Sequence, residues 1–283
     1  MNNALFPSVD PVRLFSDYLR VTGIAHLGPE QSGEPGLVGR RLGLLNGSSW
    51  ITLWSNYFGR LYLPGVHLVN AGNEAVQLNF MDAHQKGLRC PPESNIEAFI
   101  RYARDLVELG QVNVVLITCS TMNRAYPQVV AALQPYAVPV LQIDQPMMER
   151  AVDQGGKILV VATHGPTVTS TQALLQETAS RLGKEVAFSG TTVEAAWECL
   201  AAGDVLGHNR ALAQAIHAHL DREPASSVIL AQLSMACLLF SYPDPLVEFG
   251  IPVYTSAQCG FEKARELLVA HSAQAGNLRG NDE

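Results

Sequence analysis

Between Val112 and Ile117, five of six residues are valine, leucine or isoleucine, and the run stops at Thr118, Cys119 and Ser120. A segment apolar on both faces and rich in β-branched residues reads as a central strand of a parallel sheet, which must be covered by helices on each side. Upstream, Ile96, Phe99, Ile100, Ala103, Leu106 and Val107 recur at helical spacing, and downstream Asn123 to Leu133 can form a helix. Cys119 therefore falls at a strand-to-helix turn, the end of an open α/β sheet at which ligands bind. A thiol there lies beside free helix N–H groups that favour its thiolate. A lone cysteine in an apolar segment is more often a buried structural thiol.

The same layout recurs along the chain. RLGLLNGSSW at 41–50 is a short apolar strand followed by Asn46, Gly47, Ser48 and Ser49, a combination suited to a helix start and a candidate anion cradle. Val66–Val69 and VPVLQI at 138–143 read as strands, and Gly155-Gly156 marks a break. KILVVATHG at 157–165 then restarts the plan, with a helix opening at TVTST and running to about Leu182. EVAFSG at 185–190 is a further strand, helices follow near 193–202 and 208–221, and SSVILAQLSM at 226–235 is the counterpart of the Cys119 strand. Pro252–Thr255 and Phe261–Val269 supply a last strand and helix. Alternating strands and helices at this spacing predict an α/β chain of two similar, flavodoxin-like parallel-sheet domains facing each other across a cleft. The expected boundaries are an N-terminal arm at 1–40, a first domain at 41–144 completed by 257–283, and a second at 145–256.

Composition limits the partners. With 283 residues, 47% hydrophobic and 16% charged, the chain can bury two ordinary cores. A net charge of −7 without a basic run argues against nucleic acid and anionic membranes. No membrane span or signal segment is read, so a cytoplasmic location is expected. The five cysteines, at 90, 119, 199, 237 and 259, are odd in number and form no C-x-x-C pair. No His/Asp/Glu group has metal-ligand spacing, and no G-x-G-x-x-G or Walker loop occurs, so neither metal nor cofactor is expected.

Four segments in order resemble the aspartate/glutamate/hydantoin racemase superfamily, which includes arylmalonate decarboxylase and maleate isomerase. ITCSTMN at 117–123 is similar to its first cysteine loop and LLNGSS at 44–49 to its first-strand loop. VVATHGPTVTST at 160–171 is similar to the threonine-rich loop of the second half, and VILAQLSMACLL at 228–239 to the second cysteine loop. LAAGDVLGHN at 200–209 resembles a helix junction of the hydantoin-racemase branch. The resemblance implies a small carboxylate substrate, cofactor-independent chemistry and a thiol from each half. Where the second thiol belongs, this chain has Gln232. An amide orients a ligand but does not exchange a proton with carbon.

With Cys119 alone, three chemistries stay open: decarboxylation of a substituted malonate, thiolate addition with isomerisation, and racemisation with a substitute base. His164, in the turn that opens the second half, is the named substitute. Asn46, Ser48, Ser49, Ser120, Thr121, Thr163 and Thr167 all fall in strand-to-helix turns, where hydroxyls and N–H groups hold carboxylates; each could equally be an ordinary helix cap. Gln232 would orient substrate. The alternative function is a non-catalytic small-carboxylate binder that lost its second thiol. A homo-oligomer, dimer or larger, is compatible with this reading.

Overall fold

The computed structural model describes residues 10–23 and 33–279, with side chains described to residue 270. In chain order the elements are α1 (Pro11–Thr22), β1 (Arg41–Asn46), α2 (Ser49–Tyr62), β2 (His67–Gly72), α3 (Glu74–Gln85), α4 (Glu93–Glu108), β3 (Val114–Ile117), α5 (Tyr126–Leu133) and β4 (Val140–Gln142). They continue as α6 (Gln145–Gln154), β5 (Lys157–Ala162), α7 (Gly165–Arg181), β6 (Ala187–Thr192), α8 (Glu194–Ala201) and α9 (Val205–Leu220). The last are β7 (Ser227–Leu230), α10 (Leu238–Ser241), α11 (Pro245–Phe249), β8 (Val253–Thr255) and α12 (Ser256–Arg279).

Two four-stranded sheets form, in the orders β2-β1-β3-β4 and β6-β5-β7-β8, and every pairing is parallel. The α/β class expected from the alternating pattern is therefore what the chain adopts, with the second sheet repeating the topology of the first. Strand alternation explains the layering. Leu42, Leu44, Val114 and Leu116 turn to one face and pack with Phe58, Phe261, Ala264 and Leu268. Leu45, Val115 and Ile117 turn to the other, against Ile96, Phe99, Ala103 and Leu106. The second sheet does the same: Leu159, Val161, Val228 and Leu230 share a core with Leu212 and Ile216, whereas Ile158, Val160 and Ile229 meet Met147, Met148 and Leu175.

Leu233, Ala236 and Cys237, which follow β7, join the core of the first sheet rather than that of their own. Two short 3₁₀ turns, Ser120–Ala125 after β3 and Leu233–Cys237 after β7, stand where the sequence pattern extends a helix or a strand. After β3 the reason is Pro127: proline is accommodated in the first turn of α5 but not inside a helix, so α5 begins at Tyr126. The helix α3 has no counterpart in the sequence reading. Its apolar positions are diluted by Asn79, Asp82 and His84, and only Val76 and Ala83 are buried. Residues 1–9 and 24–32, within the expected N-terminal arm, lie outside the described residues. No helix among the described residues is long and apolar enough to cross a membrane.

Candidate functional site

The strand β3 ends in a polar knot. Asn46, at the end of β1, is buried and donates from Nδ2 to Asn70 Oδ1 at 2.9 Å. Its Oδ1 accepts from Ser55 Oγ at 3.0 Å and from the Thr118 hydroxyl. Asn70 and Asn56 pair their amides at 3.0 and 3.2 Å. The Asn46 side chain is thus committed to joining β1, β2, β3 and α2, which fixes the loop that follows β1 against the loop that carries Cys119.

Cys119 is 2% exposed. Its Sγ lies 3.0 Å from Thr121 Oγ1, which in turn is 3.4 Å from Gln77 Oε1 on α3. On its other side sits Gly47, where a Cβ would fall 2.5 Å from the sulfur. Burial pushes the thiol up from its ordinary value and the nearby Asp144 carboxylate adds to the shift, against the Thr121 hydroxyl and the N–H groups of Met122 and Thr121. Such a group rests protonated at neutral pH, an acid rather than a base.

Asp144 was not singled out from sequence. It follows β4 and is 3% exposed, with Oδ2 accepting from the Asn123 amide. Burial raises its carboxyl to about 6, opposed by the Asn123 bond and by the nearby hydroxyls of Ser256 and Ser120. The sequence signal was a lone acid at the end of an apolar strand, four residues beyond Val140.

The loop after β1 caps α2. Ser48 Oγ accepts from Ile51 N at 3.4 Å. Ser49 gives both its N–H and its hydroxyl to Glu74 Oε2 at 2.8 Å, and that backbone bond, with the hydroxyl's, holds the Glu74 carboxyl below its usual value. The expected anion cradle thus carries a carboxylate, supplied by the chain's own α3. Ser48, Ser49, Asn56, Asn70 and Glu74 line a cavity of about 500 Å³ that Tyr18 and Thr22 of α1 also border.

In the second half, Thr163 is buried and donates from N and from Oγ1 to Gln232 Oε1, both at 2.8 Å. A backbone N–H only donates, so the atom facing it must be the amide oxygen. Gln232 therefore turns its two Nε2 hydrogens away from Thr163, and Nε2 has no hydrogen-bond partner among the described residues. His164 precedes α7 as its N-cap and is exposed, its ring 5.3 Å from that of Trp197 on α8. Trp197 meets Trp50 of α2 at 5.4 Å, and Trp50 meets Trp54 at 5.4 Å. All three tryptophans of the chain stand in this row, which carries the second half's His164 turn to the first half's Gly47–Ser49 loop. Thr167 donates its N–H to His164 O at 3.1 Å within the first turn of α7.

Cys237, Cys259, His208 and His219 are buried in the packing of the described residues. Burial lifts Cys237 to about 12 and Cys259 to about 11. His219 is 2.9 Å from Ser189 Oγ. His208, not singled out from sequence, is buried with Nδ1 on Ala196 O at 2.8 Å, and burial lowers its pKa. Among the described residues no group of three or more His, Cys, Asp or Glu side chains could hold a metal ion.

Two all-parallel four-stranded sheets of the same strand order, with a thiol on the loop of one half and polar turns on the loops of both, define a two-domain α/β fold. The sequence profile of Asp/Glu/Hydantoin racemase matches residues 83–264, more than half of the chain, and the chain belongs to this family. Among solved structures, an aspartate racemase homologue from Pyrococcus horikoshii is similar at TM-score 0.61 and 18% identity, over 81% of this chain and 99% of that one. Picrophilus torridus aspartate racemase gives 0.59 and 13%, over 83% and 95%. Allantoin racemase from Klebsiella pneumoniae gives 0.57 and 18%, over 82% and 88%. At these identities the likeness is one of fold. No functionally curated protein matches the sequence. Family membership points to an enzyme acting on a small carboxylate.

Proposed function

We propose that the protein is a single-thiol enzyme that protonates one face of a carbanion next to a carboxylate, with decarboxylation of a substituted malonate as the reaction. The observation that carries this is the Gln232 amide, whose oxygen is held by Thr163 N and Oγ1 at 2.8 Å. Its free end is a pair of N–H donors. Two-thiol racemisation needs a proton acceptor there; a donor instead grips an anionic oxygen, such as one carboxylate of a malonate. The buried thiol suits the same role. Racemisation asks Cys119 to be a thiolate half of the time, whereas decarboxylation asks only for an acid.

In this reaction the bond from the α-carbon to one carboxylate breaks and carbon dioxide leaves. The electron pair stays on the α-carbon, delocalised into the remaining carboxylate, and N–H donors stabilise that charge. Cys119 Sγ–H then gives its proton to carbon, and the thiolate regains one from water. Ser48, Ser120 and Thr121 border the thiol side, and Thr163, Thr167 and His164 the Gln232 side. In this reading His164 closes the rim with Trp197 and is not a second base.

The test is proton NMR in D₂O with substituted malonates, amino acids, hydantoins and maleate. The expected result is a monodeuterated product of one configuration from a malonate, lost in Cys119→Ser. Deuterium exchange with inversion of an amino acid or hydantoin would overturn the decarboxylase reading. The burial of Cys119 favours one second reading, a carboxylate-binding protein without turnover. In that case Cys119→Ser keeps ligand affinity, and neither form yields product.

A further inference from the structure

We infer that Asp144 is a positioning residue of this site: Cys119 and Asp144 form one buried proton-sharing pair, with the proton resting on sulfur. The inference deepens the single-thiol reading and rests on it for the thiol's role as an acid.

The pairing follows from strand register. The ladder between β3 and β4 runs Val115 to Val140, Leu116 to Leu141 and Ile117 to Gln142, and continues as Ile143 N on Ile117 O at 3.0 Å. Two residues further on each strand stand Cys119 and Asp144, at the same end of neighbouring strands. Both are closed from water, at 2% and 3% exposure. The Asn123 amide, from the turn that Cys119 begins, fixes one carboxyl oxygen of Asp144. The other, Oδ1, is buried without a hydrogen-bond partner among the described residues, as is Asn123 Oδ1. A buried acceptor left open is costly unless a proton or a water serves it.

The charges around the pair leave it isolated. Asp144 is the charged side chain that acts on Cys119. The polar groups on Asp144 are the Asn123 amide and the hydroxyls of Ser120 and Ser256, none of them charged. From the helices packed nearby, Arg150 of α6 and Glu262 of α12 bind each other at 2.7 Å and act on Cys259 instead. With no cation among the described residues acting on either group, one negative charge is tolerated and a second is strongly opposed. When Asp144 is ionised, Cys119 must keep its proton. When that proton goes to a carbanion, the pair holds two negative charges at close quarters, which drives Cys119 to recover a proton before the next turnover.

The test needs no substrate, so its failure is distinct from failure of the decarboxylase reading. Thiolate absorbance near 240 nm is titrated against pH, and Cys119 is isolated as the difference from Cys119→Ser. In Asp144→Asn the Cys119 midpoint is expected to fall by about one pH unit, the order of shift a like charge exerts in a buried site. That is roughly tenfold more thiolate at a given pH below the midpoint. Cys119→Ser gives the reciprocal readout: carbon NMR of the Asp144 carboxyl in wild type should show a second inflection where Cys119 titrates, absent from Cys119→Ser. This holds even where Asp144→Asn fails to fold. An unmoved Cys119 midpoint in a folded Asp144→Asn, or an Asp144 signal blind to Cys119, overturns the pair.

Discussion

Gly47→Ala probes the packing that holds the thiol in place. The φ of Gly47 is not in the left-handed region, so backbone strain does not enter and the cost is contact alone. An added Cβ would stand 2.5 Å from Cys119 Sγ and 3.3 Å from its Cβ, where van der Waals contact needs about 3.5–4 Å. The sulfur must therefore retreat by roughly 1 Å into a site already close-packed, and overpacking of this kind costs about 1–3 kcal/mol. For a chain of this size each kcal/mol lowers the melting temperature by about 2–4 °C. In a Cys119→Ala background the sulfur is gone and the nearest remaining atom is the Cβ, so Gly47→Ala should cost far less. Urea denaturation of the four forms gives the coupling, expected at about 0.5–3 kcal/mol for groups in contact. Strictly additive costs would refute the account of how Gly47 and Cys119 pack, and with it the argument that the first-strand loop shapes the thiol's pocket.

Three further outcomes are expected. Gln232→Glu keeps an oxygen for Thr163 and replaces the two outward donors by an anionic oxygen; loss of a charge-assisted bond, about 1.5–3 kcal/mol, should raise KM for the reacting carboxylate at least tenfold, with thermal stability little changed. Asp144, raised by burial from 3.8 to about 6, binds its proton more tightly folded than unfolded. Its contribution is therefore full below pH 3.8 and is lost as pH rises through 6, about 3 kcal/mol at most, so denaturation midpoints of Asp144→Asn should lack that decline and exceed wild type at pH 7.5. Ser55→Ala removes a buried donor to Asn46 Oδ1 and should cost about 1–2 kcal/mol in urea melts; a smaller cost would mean that the Thr118 hydroxyl by itself satisfies Asn46 Oδ1.

What the sequence makes legible is whatever depends on period. Runs such as Val114–Ile117 and Ile158–Val161 are buried on both faces, and such runs read directly as central parallel strands. Cys119 at a strand end is legible for the same reason. The partners of Cys119 are not, because they come from elsewhere in the chain: Gln77 from α3, Gly47 from the β1 loop and Asp144 from β4. A helix as polar as α3 leaves no periodic trace, so Gln77 and Glu74 pass unnoticed. The polar turn residues were legible as residues of strand-to-helix turns but not in their separate duties. Asn46 joins strands, Ser48 caps α2, Ser49 binds Glu74 and Thr163 fixes Gln232.

Those separate duties show where the two halves part company. Both sheets have the same strand order and both third strands end in a 3₁₀ turn, so the scaffold offers the same position twice. In the first half the second residue after the strand is a thiol sunk beneath Gly47, with an acid at the end of the neighbouring strand. In the second it is an amide whose oxygen is tied down by the neighbouring loop. A second thiol at 232 would leave the Thr163 N–H and hydroxyl without the acceptor that now binds both at 2.8 Å. Gln232→Cys alone is thus expected to be a poor route to a two-thiol site, since it orphans two donors at once. The asymmetry is built into the loops on which both residues rest, and changing the chemistry means changing Thr163 together with Gln232.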